Sequence, residues 1–354
     1  MATETADRVR LAASHWKPRF VANGIDANDF ERVLSETTEW RDWAPHWQRV
    51  GDQHRAIAED AQRSGRLVTA TDAFQRAAWS YHLGKFLWFE DAALHDLLRQ
   101  LTVDTYANAL RGLSPAGARV EAPFEGSVIP GILRRPDGEA APLVILVPGL
   151  DSVKEELFAI ENEFLRRGMA TLSIDGPGQG ESAPRFAIRA DWSTVITPLL
   201  DHLASRDHGV RLDRVGLVGV SMGGIYGPRA AAKEKRLRAL VALAGPFDLS
   251  ECWAQLNPLT RAGYVFYTKS RDEAEAFERS KTLTLRGVLP DVSCPLLVVH
   301  GGKDRLFPPE QAERIVREAP NGTLLLYPEG NHVCNNIPYK YRPAMADWMR
   351  ERLG

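Results

Sequence analysis

Between Asp72 and Leu98 apolar residues recur at the spacing of one helical face: Phe74, Ala77, Ala78, Tyr81, Phe86, Trp88, Phe89 and Ala93. Phe30 to Trp47 is equally rich in aromatics, and alternating β-branched runs are scarce through the first 112 residues. A last helix around Leu98 to Leu110 meets the breaker cluster Arg111-Gly112-Leu113-Ser114-Pro115. The pattern predicts a helical N-terminal, cap-like domain of four to six helices over residues 1–115. Core packing is the simplest use of its aromatics; a domain leaning over an active site would also line a cavity with some of them. The exposed-looking group Trp40, Trp43 and Trp47 leaves two uses open, a pocket wall or an interface.

From Ala118 the period changes. Arg119 to Phe124 and Ser127 to Arg135 alternate as two strands, an antiparallel entry to a sheet. Short continuous apolar runs follow: Pro142 to Val147, Met169 to Ile174, Val215 to Val220, Ala239 to Leu243, Leu296 to His300 and Gly322 to Tyr327. Runs of this kind suit strands buried on both faces by helices. Helical segments separate them, at about Lys154 to Arg167, Asp191 to Ser205, Gly223 to Ala232, Pro309 to Glu318 and Tyr341 to Leu353. The alternation predicts an α/β domain over 116–354 with a doubly wound, mostly parallel sheet. Residues of about 247–288 break the alternation and read as an inserted helical lid.

Composition narrows the function classes. With 44 Lys and Arg against 46 Asp and Glu, the formal net charge is -2. Neither nucleic acid nor an anionic membrane surface is an expected partner. No run approaches the roughly 18 apolar residues of a membrane-crossing helix, and the first 20 residues lack the apolar core of a secretory signal. Three widely spaced cysteines, Cys252, Cys294 and Cys334, form no disulfide framework and no zinc-ligand spacing. The expectation is a soluble, cytoplasmic, globular protein that acts on a small molecule.

Candidate chemistry concentrates at Gly219-Val220-Ser221-Met222-Gly223, the pattern G-x-S-x-G between an apolar strand and a helix. That context makes the serine the tip of a sharp strand-to-helix turn, with its oxygen exposed at the sheet edge. A side chain at either glycine would collide across the turn, and the following helix N-terminus adds partial positive charge. A serine hydroxyl needs a base, and the base an orienting acid. On such a sheet the two follow the serine along the chain. Asp304 lies just after the strand ending at His300, and His332 just after the last strand, both at the carboxyl edge where open sheets bind ligands. Asp304 and His332 are therefore the expected acid and base. Asp248, after the preceding strand, is a rival acid, and His300 reads as structural. Two backbone amides should hold the oxyanion: that of Met222, next to the serine, and that of Leu150, in the loop Pro148-Gly149-Leu150-Asp151-Ser152. No metal cluster, phosphate loop or dinucleotide fingerprint appears, and no cofactor is expected; Gly176-Pro177-Gly178-Gln179-Gly180 holds a proline and lies outside the first βα turn.

These residues resemble the α/β-hydrolase superfamily over roughly 118–354. Several stretches are similar to one branch of it: Gly149 to Glu156, Arg167 to Thr171, Asp175 to Glu181, Gln75-Arg76-Ala77 with Tyr81-His82, and Gly330 to Asn336 followed by Met345-Ala346-Asp347-Trp348. The branch is that of the 2,6-dihydroxypseudooxynicotine hydrolase-like C–C bond hydrolases, related to fungal polyketide-shortening hydrolases and FrsA-type esterases. The resemblance implies hydrolysis of a C–C bond beside a ketone in an aromatic or polyketide-like β-carbonyl substrate. It also suggests a homodimer and a further functional glutamate in the segment after the sixth strand. Glu251 is the only glutamate there, and alignment on Trp253 and Pro258 puts the position at Leu256 instead. Trp253, Tyr264, Phe266 and Tyr267 are either pocket wall or lid packing. A carboxylesterase or amide hydrolase with the same triad is the main alternative. An oligopeptidase is disfavoured by the helical, rather than β-propeller, N-terminal region. A non-catalytic scaffold is disfavoured because Ser221, Asp304 and His332 are all present.

Overall fold

The computed structural model describes residue 9 and residues 15–354; most of the segment expected to lack a secretory signal lies outside the described residues. The chain forms two compact units, Met1–Ala118 and Arg119–Gly354.

The first unit is helical: α1 (15–23), α2 (Ala27–Glu36), α3 (Trp43–Arg63), α4 (Leu67–Lys85) and α5 (Ala92–Ala109). Asp26 caps α2 by accepting from the Asn28 amide, and Asp91 caps α5 by accepting from Ala93 and Leu94. From Phe74 to Lys85 α4 is almost wholly buried on every side, and its polar residues Gln75, Ser80, His82 and Lys85 are buried along with the apolar ones. The aromatics expected to be exposed are instead core. Trp40, Trp43 and Trp47 are all buried, Trp40 stacks on Trp43 at 5.5 Å, and Phe30 packs on Trp43 and Trp47. Trp43 Nε1 donates to the Leu83 carbonyl at 3.1 Å and the neighbouring Trp88 Nε1 to that of Trp40 at 2.9 Å, whereas Trp47 Nε1 is buried with no acceptor among the described residues. The pattern misleads here because aromatics sit on more than one face of helices enclosed from several sides.

The second unit holds an eight-stranded sheet in the order β1-β2-β4-β3-β5-β6-β7-β8. The strands are β1 (Gly117–Phe124), β2 (Ser127–Arg134), β3 (Ala141–Val147), β4 (Ala170–Ile174), β5 (Val210–Val220), β6 (Leu237–Leu243), β7 (Leu296–Gly301) and β8 (Gly322–Tyr327). β2 runs antiparallel to β4, and the pairs from β4 across to β8 are parallel. β5 begins five residues earlier than its apolar run. Within that start Val210 and Arg211 pair with Ala141 and Pro142 before a register shift. Helices α6 (Phe158–Leu165) and α13 (Pro338–Leu353) cover one face: Ile160, Phe164, Tyr341, Met345 and Met349 pack on Val144, Leu146, Val218 and Val241. On the other face, α8 (Gly223–Ala231) lies against Leu217 and Leu240 at Gly227. α7 (Ser193–Ala204) and α12 (Pro309–Glu318) complete the crossovers, and the insertion supplies three helices, α9 (Leu249–Cys252), α10 (Pro258–Tyr267) and α11 (Glu273–Ser280).

One expected helix starts differently. Lys154–Leu157 is a 3₁₀ turn ahead of α6. Its first residue is tied into a buried ion cluster instead of an amphipathic face: the Lys154 amide donates to Asp175 Oδ1 at 2.8 Å, and Lys154 Nζ bonds Asp175, Glu155 and Glu181. Chain order reverses about β3, with β4 on one side of it and β5 on the other. The loops after β3 and β5 therefore diverge and leave a crevice at their carboxyl ends.

Candidate active site

Val220 ends β5, and Ser221 follows with φ of 55°, a left-handed conformation that a non-glycine residue adopts only under local constraint. The constraint is visible. The Ser221 amide donates to the Leu243 carbonyl of β6 at 2.7 Å, and the Ser221 carbonyl accepts from the Gly224 amide at 2.8 Å. A Cβ on Gly219 would stand 1.9 Å from the Gly223 carbonyl oxygen, and one on Gly223 would stand 2.4 Å from that of Val147. Both positions therefore require glycine.

His332 Nε2 lies 2.9 Å from Ser221 Oγ, and His332 Nδ1 lies 2.8 Å from Asp304 Oδ2. The other carboxylate oxygen, Oδ1, accepts from the Leu306 and Phe307 amides at 2.8 and 3.1 Å. Burial acts to raise the Asp304 pKa, but the His332 imidazole and these hydrogen bonds outweigh it and hold the group below its ordinary value. An ionised carboxylate only accepts, so Nδ1 carries the imidazole proton and Nε2 is left as the acceptor facing the serine hydroxyl. Phe307 packs edge-on against the ring at 5.4 Å and fixes its plane. The structure thus brings together three residues that are separated by 83 and 28 positions in the sequence.

His300 stands beside this relay, with Nε2 3.7 Å from Asp304 Oδ2. Its Nε2 donates to the Phe307 carbonyl at 2.9 Å, and burial lowers its pKa. It props the loop that carries Asp304. The rival acid Asp248 is occupied elsewhere: it caps α9 through the Ser250 amide and accepts from Arg286 Nε at 2.9 Å.

Glu251 lies in an ion-pair cluster. Its carboxylate is bonded by Arg286, by Arg314 at 3.2 Å and by Gln311 at 3.2 Å, and none of these touches Ser221 or His332. Two guanidinium groups hold it as an ion-pair acceptor, so the structure does not bring it together with the serine and histidine. Trp253 packs on Tyr264 at 5.6 Å and Phe277 at 5.8 Å, within the lid. Leu256 is buried.

The loop after β3 passes directly against the serine. A Cβ on Gly149 would stand 3.1 Å from Ser221 Cβ and 3.5 Å from its Oγ. Leu150 and Met222 are buried, and among the described residues no carbonyl or side chain accepts from the amide of either. Two residues bearing on this loop were not singled out from sequence. Gln179 donates from Nε2 to the carbonyls of Pro148 and Gly149 at 2.6 and 2.9 Å. Asp175 anchors Lys154 just beyond it. Both belong to the run Asp175 to Glu181, whose glycines drew attention while its side chains did not. Among the described residues no group of three or more His, Cys, Asp or Glu could hold a metal, and no helix is long and apolar enough to cross a membrane.

Residues 27–261 match the family described as FrsA-like esterase. The chain is 32% identical over 340 residues to 2,6-dihydropseudooxynicotine hydrolase of Paenarthrobacter nicotinovorans, covering 95% of this chain and 91% of that one. It is also 32% identical over 222 residues to hydrolyase poxO of Penicillium oxalicum, covering 58% of this chain and 52% of that one. The crystal structure of the 2,6-dihydroxy-pseudo-oxynicotine hydrolase superposes with a TM-score of 0.87 at 31% identity over 95% of each chain. AbyA5, at 20% identity and a TM-score of 0.76 over 98% of this chain and 99% of that one, shares the fold.

Proposed function

This chain belongs to the FrsA-like esterase family and is an α/β-hydrolase, and from that premise we propose that it is a serine-dependent hydrolase that cleaves a C–C bond beside a ketone in an aromatic or polyketide-like β-carbonyl substrate. The observation that carries the serine mechanism is the pair of hydrogen bonds, 2.9 and 2.8 Å, joining Ser221, His332 and Asp304. The near full-length similarity to a pseudooxynicotine hydrolase supports a ketonic substrate.

Ser221 Oγ adds to the ketone carbon while His332 Nε2 takes its proton. The amides of Leu150 and Met222 hold the oxyanion, whose charge exists only after attack, so they act on the transition state more than on bound substrate. Collapse breaks the C–C bond, and the electron pair leaves as a carbanion delocalised into the neighbouring carbonyl or ring. The proton held by His332 then goes to that carbon. Water, deprotonated by the freed His332, hydrolyses the acyl group from Ser221. A variant in which His332 activates water directly on the ketone uses the same groups. Asp304 holds His332 in the tautomer that either route needs. The family description favours a second reading, carboxylic ester hydrolysis, in which an alkoxide leaves instead of a carbanion.

The test compares wild type with Ser221→Ala on activated esters and on aryl ketones and 1,3-diketones, with mass spectrometry of both fragments. Serine-dependent ketone cleavage with slow ester turnover supports the C–C reading. Fast ester turnover with ketones untouched leaves the esterase reading. Activity that persists in the alanine variant on both panels removes the serine mechanism.

A further inference from the structure

We propose that Gln179 is a positioning residue that sets the oxyanion hole by fixing the plane of the Gly149–Leu150 peptide; this rests on the reading of Leu150 given above.

Gln179 is fully buried and every polar atom of its carboxamide is assigned. Its Oε1 accepts from the Gly176 amide at 3.0 Å, which forces Nε2 to the opposite side. There the two Nε2 hydrogens meet two carbonyls, those of Pro148 and Gly149. A flipped amide would set oxygen against both carbonyls, so one orientation is selected. In a planar trans peptide the C=O and the following N–H point in opposite directions. Holding the Gly149 carbonyl on Gln179 therefore turns the Leu150 N–H away from it. That N–H finds no acceptor among the described residues, and its loop lies against Ser221. A donor left without a partner beside the nucleophile is what a developing oxyanion needs. Without the Gln179 bonds the same peptide could turn over and present its carbonyl instead.

The clamp is itself anchored. Gly180 packs on the Asp175 carboxylate, where a Cβ would stand 2.2 Å from Oδ2. Asp175 Oδ2 accepts from the Glu181 amide at 3.0 Å and from Lys154 Nζ at 2.9 Å. The Ser182 hydroxyl donates to the Asp175 carbonyl at 2.8 Å. The turn that carries Gln179 is thus tied at one end to β4 and at the other to the segment four residues beyond Leu150. Asp175 and Lys154 brace the clamp, and Gln179 itself bonds the carbonyls of Pro148 and Gly149.

The experiment measures p-nitrophenyl butyrate hydrolysis by wild type, Ser221→Ala, Gln179→Met and Gln179→Glu. A trifluoromethyl ketone, which forms a tetrahedral adduct on Ser221, serves as transition-state probe. Gln179→Met keeps the length and removes both donors. It should lower kcat by about 10- to 100-fold with KM within about 2-fold, because the loss falls on the transition state. Affinity for the trifluoromethyl ketone should fall by a similar factor. Gln179→Glu offers a donor only when protonated, so its kcat relative to wild type should rise as pH falls through the carboxyl titration. This second measurement stands even if the methionine variant does not fold. Unchanged kcat and probe affinity in a folded Gln179→Met, or a pH-independent activity ratio for Gln179→Glu, overturns the proposal. Turnover surviving in Ser221→Ala would instead strike the underlying serine reading, so the two failures are distinguishable.

Discussion

His332 Nε2 stands 2.9 Å from the Oγ of Ser221, although 111 positions separate the two residues and each sits on a loop at the carboxyl edge of the sheet. The contact is held from both sides. Ser221 is strained at φ of 55° by the elbow, and His332 is fixed by Asp304 and by the Phe307 ring. A hydrogen bond built this way is preorganised for proton transfer.

Removing either end should be far more costly to activity than to stability. Ser221→Ala is expected to lower kcat by at least about 10³-fold with little change in melting temperature. Asp304→Asn should cost about 10²- to 10⁴-fold, because an amide donor facing Nδ1 favours the wrong tautomer. Steady-state kinetics alongside thermal melts check both.

The elbow predicts the opposite balance. Gly219→Ala places a methyl 1.9 Å from a backbone oxygen that cannot move without breaking the turn. The variant should lose about 3 kcal/mol or more, or fail to accumulate as folded protein. Denaturant unfolding is the measurement. A stable, active Gly219→Ala protein would show that the turn has another conformation available.

Glu181 titrates with consequences for stability. Burial works to raise its pKa, but the hydrogen bond from Arg119 and the charge of Lys154 prevail and bring it down to about 2, from an ordinary value of 4.5. Between these values the unfolded chain binds the extra proton. The stabilisation is therefore complete above about pH 4.5 and is lost as pH falls towards 2. Glu181→Gln should lower the melting temperature at pH 7 by about 2–4 °C per kcal/mol lost. The gap from wild type should close across that acid window.

Thiol chemistry should be slow in the native protein. Burial pushes Cys252 and Cys334 up to about 12, and it raises Cys294 as well. All three thiols are free and buried. The thiolate is the reactive form, so a chromogenic disulfide reagent at pH 8 should titrate few thiols until denaturant is added. Rapid native labelling would contradict the burial of these thiols.

The ion pairs around Glu251 predict a quiet active site. Glu251→Gln should leave kcat within about 3-fold, since its partners Arg286, Arg314 and Gln311 do not reach the triad. A loss of about 100-fold with an unchanged melting temperature would return Glu251 to the chemistry.

The sequence by itself determined the alternation of buried strands and helices and the elbow, because these are written in residues adjacent along the chain, and it pointed to Asp304 and His332 by their places just after two apolar strand runs. An apolar run such as Leu143 to Val147 needs no partner to declare itself a buried strand, and Gly219 and Gly223 declare a turn by what they lack. Only the tertiary structure decided the rest. β5 begins at Val210-Arg211, ahead of its apolar run, because Ala141 and Pro142 lie beside it, not because of its own pattern. Trp40, Trp43 and Trp47 became core because α4 and its neighbours enclose them on several sides at once. Glu251 is paired with arginines 35 and 63 positions away, and Gln179 bonds the loop after β3 from 30 positions on. A side chain's partners across loops are set by where the sheet delivers the ends of its strands, and no local periodicity carries that information.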